Sequence, residues 1–203
     1  MTHARGYQAR ALVGAACFAL GALVAGIAAP VRAADRAVIA VADFYSPGAP
    51  PIVLITDPER YAADVSAGAL VRAGGDALTV LPRSEVRAAE ASLGWHTRDG
   101  LNFSRLGALA QALHADRVLV GWINRATVYR QDFALFAADA AVNTQVFDTR
   151  QGRIIWQRES FGSGLAGLPD FALQIALERA AARGAQAAVA AASADVDRPA
   201  PTP

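Results

Sequence analysis

The chain has 203 residues, of which 54% are apolar and 18% charged, with a formal net charge of +1. That length and balance fit a folded domain and exclude a low-complexity or disordered chain. All 19 basic residues are Arg, scattered among 18 acids without forming a basic stripe, so nucleic acid is not an expected partner.

Residues 1–33 have the features of an export signal. Arg5 and Arg10 form a basic start, residues 11–29 carry no charge, and Pro30 precedes Val31-Arg32-Ala33, a small-residue cleavage site before Ala34. The run is rich in Ala and Gly and weakly hydrophobic, which favours cleavage. An uncleaved anchor is the alternative, and it would be the chain's only expected contact with a membrane. Cys17 follows Val13-Gly14-Ala15-Ala16, with no Leu at the usual lipoprotein position, so lipidation there is not expected. Cleavage removes the single Cys and three of the 19 Arg, leaving 16 Arg against 18 acids, a net of −2. An exported domain without disulfides must rest on its core, and about 170 residues suffice for one.

Residues 36–44 (RAVIAVADF) are apolar on both alternating faces, as in a strand covered on both sides. A Pro/Gly loop follows, then the apolar run Ile52, Val53, Leu54, Ile55. Asp57 and Pro58 start a helix, with Thr56 and Glu59 at capping-box spacing, and Gly74-Gly75 stop it. A short strand over 77–81 precedes a helix capped by Ser84 that runs to about Leu93. The loop 94–100 carries Trp95, His96 and Arg98, and a third helix spans about 103–114.

Residues 116–164 read as three extended runs, the last two joined by the polar turn Asp148-Thr149-Arg150-Gln151-Gly152. From 134 to 146 the even positions are mostly apolar, while the odd ones include Asp139, Asn143 and Gln145. That period of two marks a strand with one buried and one wet face. A last helix over 168–192 carries Phe171, Ile175 and Leu177, then becomes almost pure Ala, a good helix former that buries little area. Residues 193–203 hold three Pro and read as a disordered tail. The expected fold is α/β, a mixed sheet of about five strands with an antiparallel C-terminal meander and helices packed against it. The expected organisation is a signal over 1–33, an α/β domain over 34–165, the Ala-rich helix over 166–192 packed on it, and the tail.

The mature chain retains only His96 and His114 and no Cys, too few for a zinc site or a Cys–His pair. Gly74-Gly75 and Gly162-Ser163-Gly164 lack the spacing of a phosphate cradle. No catalytic set, cofactor or metal is therefore expected. Asp43 ends a strand, where α/β sheets often place ligands, and its expected role is structural. The residues that could meet a partner are Ile52, Val53, Leu54 and Ile55, as an apolar strand flanked by Pro, together with Trp95, His96 and Arg98 in their loop.

Four segments resemble a family of bacterial envelope proteins: Ala42-Asp43-Phe44 closing the first strand, LTVLPRSEV over 78–86, ALAQALHADRVLVGW over 108–122, and DTRQGRIIW over 148–156. They are similar to the opening strand, second strand, helix-to-strand segment and closing hairpin of a group that includes the curli secretion protein CsgG, the TolB amino-terminal domain and lipoprotein activators of peptidoglycan synthases. His114 stands where that family usually has Gly. No amphipathic membrane hairpins are evident, so pore formation does not carry over. The resemblance implies a non-catalytic adaptor, periplasmic or envelope-associated, that assists assembly or export of an envelope component through contacts with envelope proteins, with self-association open. The alternative is a periplasmic small-ligand-binding protein using the strand ends near Asp43 and the Trp95 loop.

Overall fold

The computed structural model describes residues 36–47, 55 and 57–194. The export-signal reading, Ile52, Val53 and Leu54, and the tail beyond residue 194 lie outside the described residues.

Among the described residues five strands form one sheet: β1 (Ala37–Val41), β2 (Leu78–Val80), β3 (Arg117–Arg130), β4 (Phe136–Asp148) and β5 (Arg153–Ala166). Their order is β2-β1-β3-β4-β5, with β1 parallel to both neighbours and β3, β4 and β5 antiparallel. Four helices pack on it: α1 (Pro58–Gly74), α2 (Arg83–Ser92), α3 (Phe103–Ala112) and α4 (Pro169–Ala192). This is the α/β mixed sheet with a C-terminal meander expected from the sequence.

Alternation along the strands divides the core in two. Ile39, Val41, Leu119, Ile123 and Val142 join Leu70 of α1 and Leu177 of α4 on one face. Val118, Val120 and Phe147 meet Leu106 and Leu109 of α3 on the other, and Ala40 meets Val86 of α2. The parallel half of the sheet is thus covered on both faces, as parallel strands require. The meander is covered along its length only on the α4 side.

α4 corrects the expectation that an Ala-rich helix contributes little. Ala172, Ala176, Ala180 and Ala188 are fully buried along one helical stripe. A Cβ added to Gly162 or Gly164 of β5 would overlap the backbone of Ala176 or Ala172, and one on Gly184 would meet Thr144. Small residues on both partners let the helix backbone lie directly on the strand, where dispersion replaces side-chain bulk. Arg179 and Arg183 then reach over the sheet edge, donating to Ser163 O at 2.8 Å and Phe161 O at 2.7 Å. Charged side chains on two carbonyls blunt an edge strand that would otherwise invite pairing.

Helix starts depart from the sequence reading. α2 begins at Arg83 with Pro82 as N-cap and no side-chain cap, so Ser84 does not cap it. The physical reason is Arg83 itself, whose guanidinium reaches back to Val41 O and Asp43 at the end of β1 and ties down the first turn. Asp57 does occupy the N-cap of α1, ahead of Pro58, but makes no cap hydrogen bond and pairs instead with Arg60 at 3.4 Å. α3 is capped by Asn102, whose side chain accepts from the N–H groups of Ser104 and Arg105. Past the C-terminus of α3, His114 has φ of 50°, the left-handed conformation that ends helices and favours Gly. The Gly usual in the resembling family would fit this position without strain.

Candidate functional site

Two features stand out, one polar and recessed in the parallel half, the other apolar and exposed on the meander.

The polar feature is built on the chain just beyond β1. Asp43, only 7% exposed, accepts from Arg83, and its Oδ2 accepts from Arg60 Nε at 3.3 Å. Arg83 Nε also donates to Asp64 Oδ1 at 3.0 Å, and Arg87 bridges both Asp64 oxygens at 2.6 and 2.7 Å. The Asp43 N–H donates to Glu90 Oε1 at 2.8 Å. Asp43 is therefore a tie between β1, α1 and α2, in keeping with a structural role. Glu90 sits on the inward face of α2 and is 5% exposed, with its Oε2 buried and unpartnered among the described residues. Burial drives its pKa up to about 7, helped by the Asp43 charge and opposed by the Asp43 N–H bond and by Arg83 and Arg87.

Glu90, Asp43, Asp57, Arg60, Arg87 and Trp95 help to line a cleft of about 200 Å³. Trp95 Nε1 and Arg87 Nε are also buried without partners. Among the described residues no group of three or more His, Cys, Asp or Glu could hold a metal ion.

The loop residues singled out from sequence separate here. Trp95 lines the cleft. His96 is exposed and opens the short 3-10 turn Thr97–Leu101, its N–H donating to Asp99 Oδ2 at 2.9 Å. Burial would raise the Asp99 pKa, but that N–H together with Arg105 holds it below the usual range. Arg98 lies over the Tyr45 ring, 5.7 Å from its centroid. Ile55 is buried in the core between the sheet and α1 and α4, so its side chain faces inward.

The apolar feature occupies the distal end of the meander. Register places Tyr129, Ala137 and Leu165 in one cross-strand row and Arg125, Ala141 and Phe161 in another, both on the face away from α4. Tyr129, Phe161 and Leu165 are each just over half exposed. At the β3–β4 turn Phe133 is 92% exposed, flanked by Leu135 and stacked under Arg130 at 5.5 Å. With Val128, Leu168 and Phe171, this end holds eight of the eleven exposed large apolar side chains among the described residues. None of the contact candidates read from the sequence lies on the meander, so this surface was missed. A signal was available, since the turn between two strands reads QDFALF, where polar residues are the rule. Nothing in the sequence marks Glu90 as buried, because it sits in a run of Ala, Arg and Ser typical of a surface helix.

Among the described residues no helix is long and apolar enough to cross a membrane. No family model matches the sequence, and no curated protein matches it. Solved structures do. The crystal structure of lipoprotein GNA1162 from Neisseria meningitidis aligns with a TM-score of 0.52 at 17% identity, covering 65% of this chain and 85% of that one. The hypothetical protein CT253 from Chlamydia trachomatis aligns at 0.48 and 16% identity over 80% of this chain and 98% of that one. The LpoB C-terminal domain from Salmonella enterica gives 0.40 and 18% identity over 62% and 81%. The likeness to GNA1162 shows one thing: this chain has the fold of a protein described as a bacterial lipoprotein.

Proposed function

We propose that this chain is a non-catalytic adaptor of the bacterial cell envelope that works by protein contact at the distal end of its meander. The observation that carries the reading is the concentration there of eight of the eleven exposed large apolar side chains among the described residues. On the open face the row of Thr127, Asp139 and Ser163 lies between Phe161 and the Tyr129–Leu165 row. Large exposed apolar side chains gathered at one end of a folded chain mark a contact site more often than a free surface. Tyr129, Phe133, Phe161 and Phe171 supply aromatic anchors, and the charged Arg125, Arg130 and Glu159 supply a polar rim, the composition of a protein interface. Support for the location comes from the export features of residues 1–33, from the four-segment resemblance to the CsgG/TolB group, and from the fold shared with a lipoprotein. Trp95, His96 and Arg98 are secondary contact candidates in the other half, and Ile52, Val53 and Leu54 are candidates from the sequence alone.

In-cell photocrosslinking tests this. A photoreactive residue placed at Phe133 or Leu165 is expected to yield the same discrete adduct with an envelope protein. Val71 on α1, about as exposed as Leu165, serves as the control and is expected to give none. No adduct from the meander, or the same adduct from Val71, would contradict the proposal.

A further inference from the structure

We propose that Glu90 is a pH-sensitive latch, which when protonated holds the last turn of α2 and the Trp95 loop against the chain beyond β1, and when ionised loosens both. The latch is independent of the apolar surface and can fail or stand without it.

Its basis is the way α2 is held. Val86 and Glu90 are the two buried residues of this helix. Its first turn is pinned by Arg83, through Val41 O and Asp43, and the Arg87–Asp64 pair ties its middle to α1. At the last turn the buried tie is the Asp43 N–H on Glu90 Oε1, while Ala89, Leu93 and Trp95 pack there only partly buried. The Trp95 N–H donates to Glu90 O at 2.8 Å, and Gly94 turns the chain with a φ of 58°. The loop that carries Trp95, His96 and Arg98 is thus attached directly to the Glu90 turn.

This carboxyl is surplus to the ion pairs around it. Arg83 pairs with Asp43 and Asp64, Arg87 with Asp64, and Arg60 with Asp43 and Asp57, so each of these guanidiniums already has a carboxylate. Glu90 Oε2 is sealed from solvent and has no partner among the described residues. Ionised in place, Glu90 would have one N–H bond in exchange for its hydration, beside the Asp43 charge. It regains hydration when the turn that carries it moves off the end of β1. Local openings of this kind cost less than global unfolding and occur where few buried contacts hold an element.

The groups facing Glu90 are Asp43 beyond β1 and Arg83 and Arg87 on its own helix, with Asp57, Glu59 and Arg60 on the same cleft from the start of α1. Trp95 and Thr97 of the following loop bring no charge. Burial, the largest influence, places the Glu90 pKa at about 7 in the closed state, against the ordinary 4.5 once the turn is open. Protonation therefore favours closure: the latch is fully set below about pH 4.5 and weakens as pH rises to about 7. Those two values make the opening equilibrium about 70-fold more favourable at pH 8 than at pH 5.

Native-state hydrogen exchange on the purified protein tests this, with rates at pH 5 and pH 8 corrected for the chemical exchange rate. Amides of residues 89–95 are expected to be less protected than those of β3 at both pH values, and to lose more than ten-fold in protection at pH 8. In Glu90→Gln, which cannot ionise, their protection should be the same at both. The latch is overturned if residues 89–95 are as protected as β3, since Glu90 would then ionise only on global unfolding. It is equally overturned if their protection does not change with pH in the parent, or if Glu90→Gln loses it to the same extent.

Discussion

The two halves of the sheet solve the burial problem in opposite ways. In the parallel half, β2, β1 and the start of β3 are covered on both faces, and what the surface offers is a recess of paired charges around Asp43 and Glu90. In the antiparallel half, α4 seals one face by laying Ala on Gly, while the opposite face and the β3–β4 turn expose Tyr129, Phe133, Phe161 and Leu165. The largest apolar groups of the meander's end thus lie outside the seal, and the smallest make it. Intrinsic stability and outward adhesion can be separated on one sheet when its two faces use side chains of such different size.

The strongest way to break that contrast is to spoil the seal. Gly164→Val puts a branched side chain where the Ala172 backbone already lies, and neither backbone can retreat without lifting the helix. A loss of about 3 kcal/mol or more is expected, read by urea denaturation. The same change at the exposed Ser163, one residue away, should cost within roughly 0.5 kcal/mol.

In the parallel half the contrast is sharpened through pH. Glu90 has a native pKa of about 7 against an ordinary 4.5, so the folded state holds its proton more tightly than the unfolded chain. That contribution is complete below about pH 4.5 and is lost as pH rises to about 7. Glu90→Gln keeps the acceptor for the Asp43 N–H but cannot ionise. It is expected to flatten this fall and to exceed the parent in stability at pH 8 by on the order of 2 kcal/mol, measured by denaturation at pH 5 and 8.

The smallest expected effect is a gain. His114→Gly relieves a non-Gly residue at φ of 50° and should stabilise by about 0.5 to 1 kcal/mol in the same assay, since the helix end already needs that conformation.

How legible these features were depends on whether their cause is local. The turn at Asp148 to Gly152 was readable because its determinants adjoin: Asp148 Oδ1 accepts the Gln151 N–H at 2.8 Å, and Gly152 takes a φ of 61°. The stop of α1 at Gly74-Gly75 was readable for the same reason, with Gly75 at φ of 49°. The strength of the α4 seal was not, because the Gly that admits each Ala lies on another element, as Gly164 does for Ala172. The odd positions of β4 also misled. Ala137, Ala141 and Asn143 are buried although no helix covers that end of the face, because short side chains sink between the flanking strands' larger ones. At the candidate sites, Trp95 was readable as an aromatic residue in a loop. Glu90 was not, because its burial depends on Asp43, 47 residues earlier.

The central claim is that the open face of the meander is the contact surface and not part of the protein's own core. Its most direct test is the affinity of the partner captured from Phe133, measured against the parent and a Phe133→Ser/Leu165→Ser variant, with the melting temperature recorded on the same preparations. Both side chains are more than half exposed, so the melting temperature should stay within a few degrees while affinity falls at least ten-fold. Unchanged affinity in a variant that melts like the parent would contradict the account.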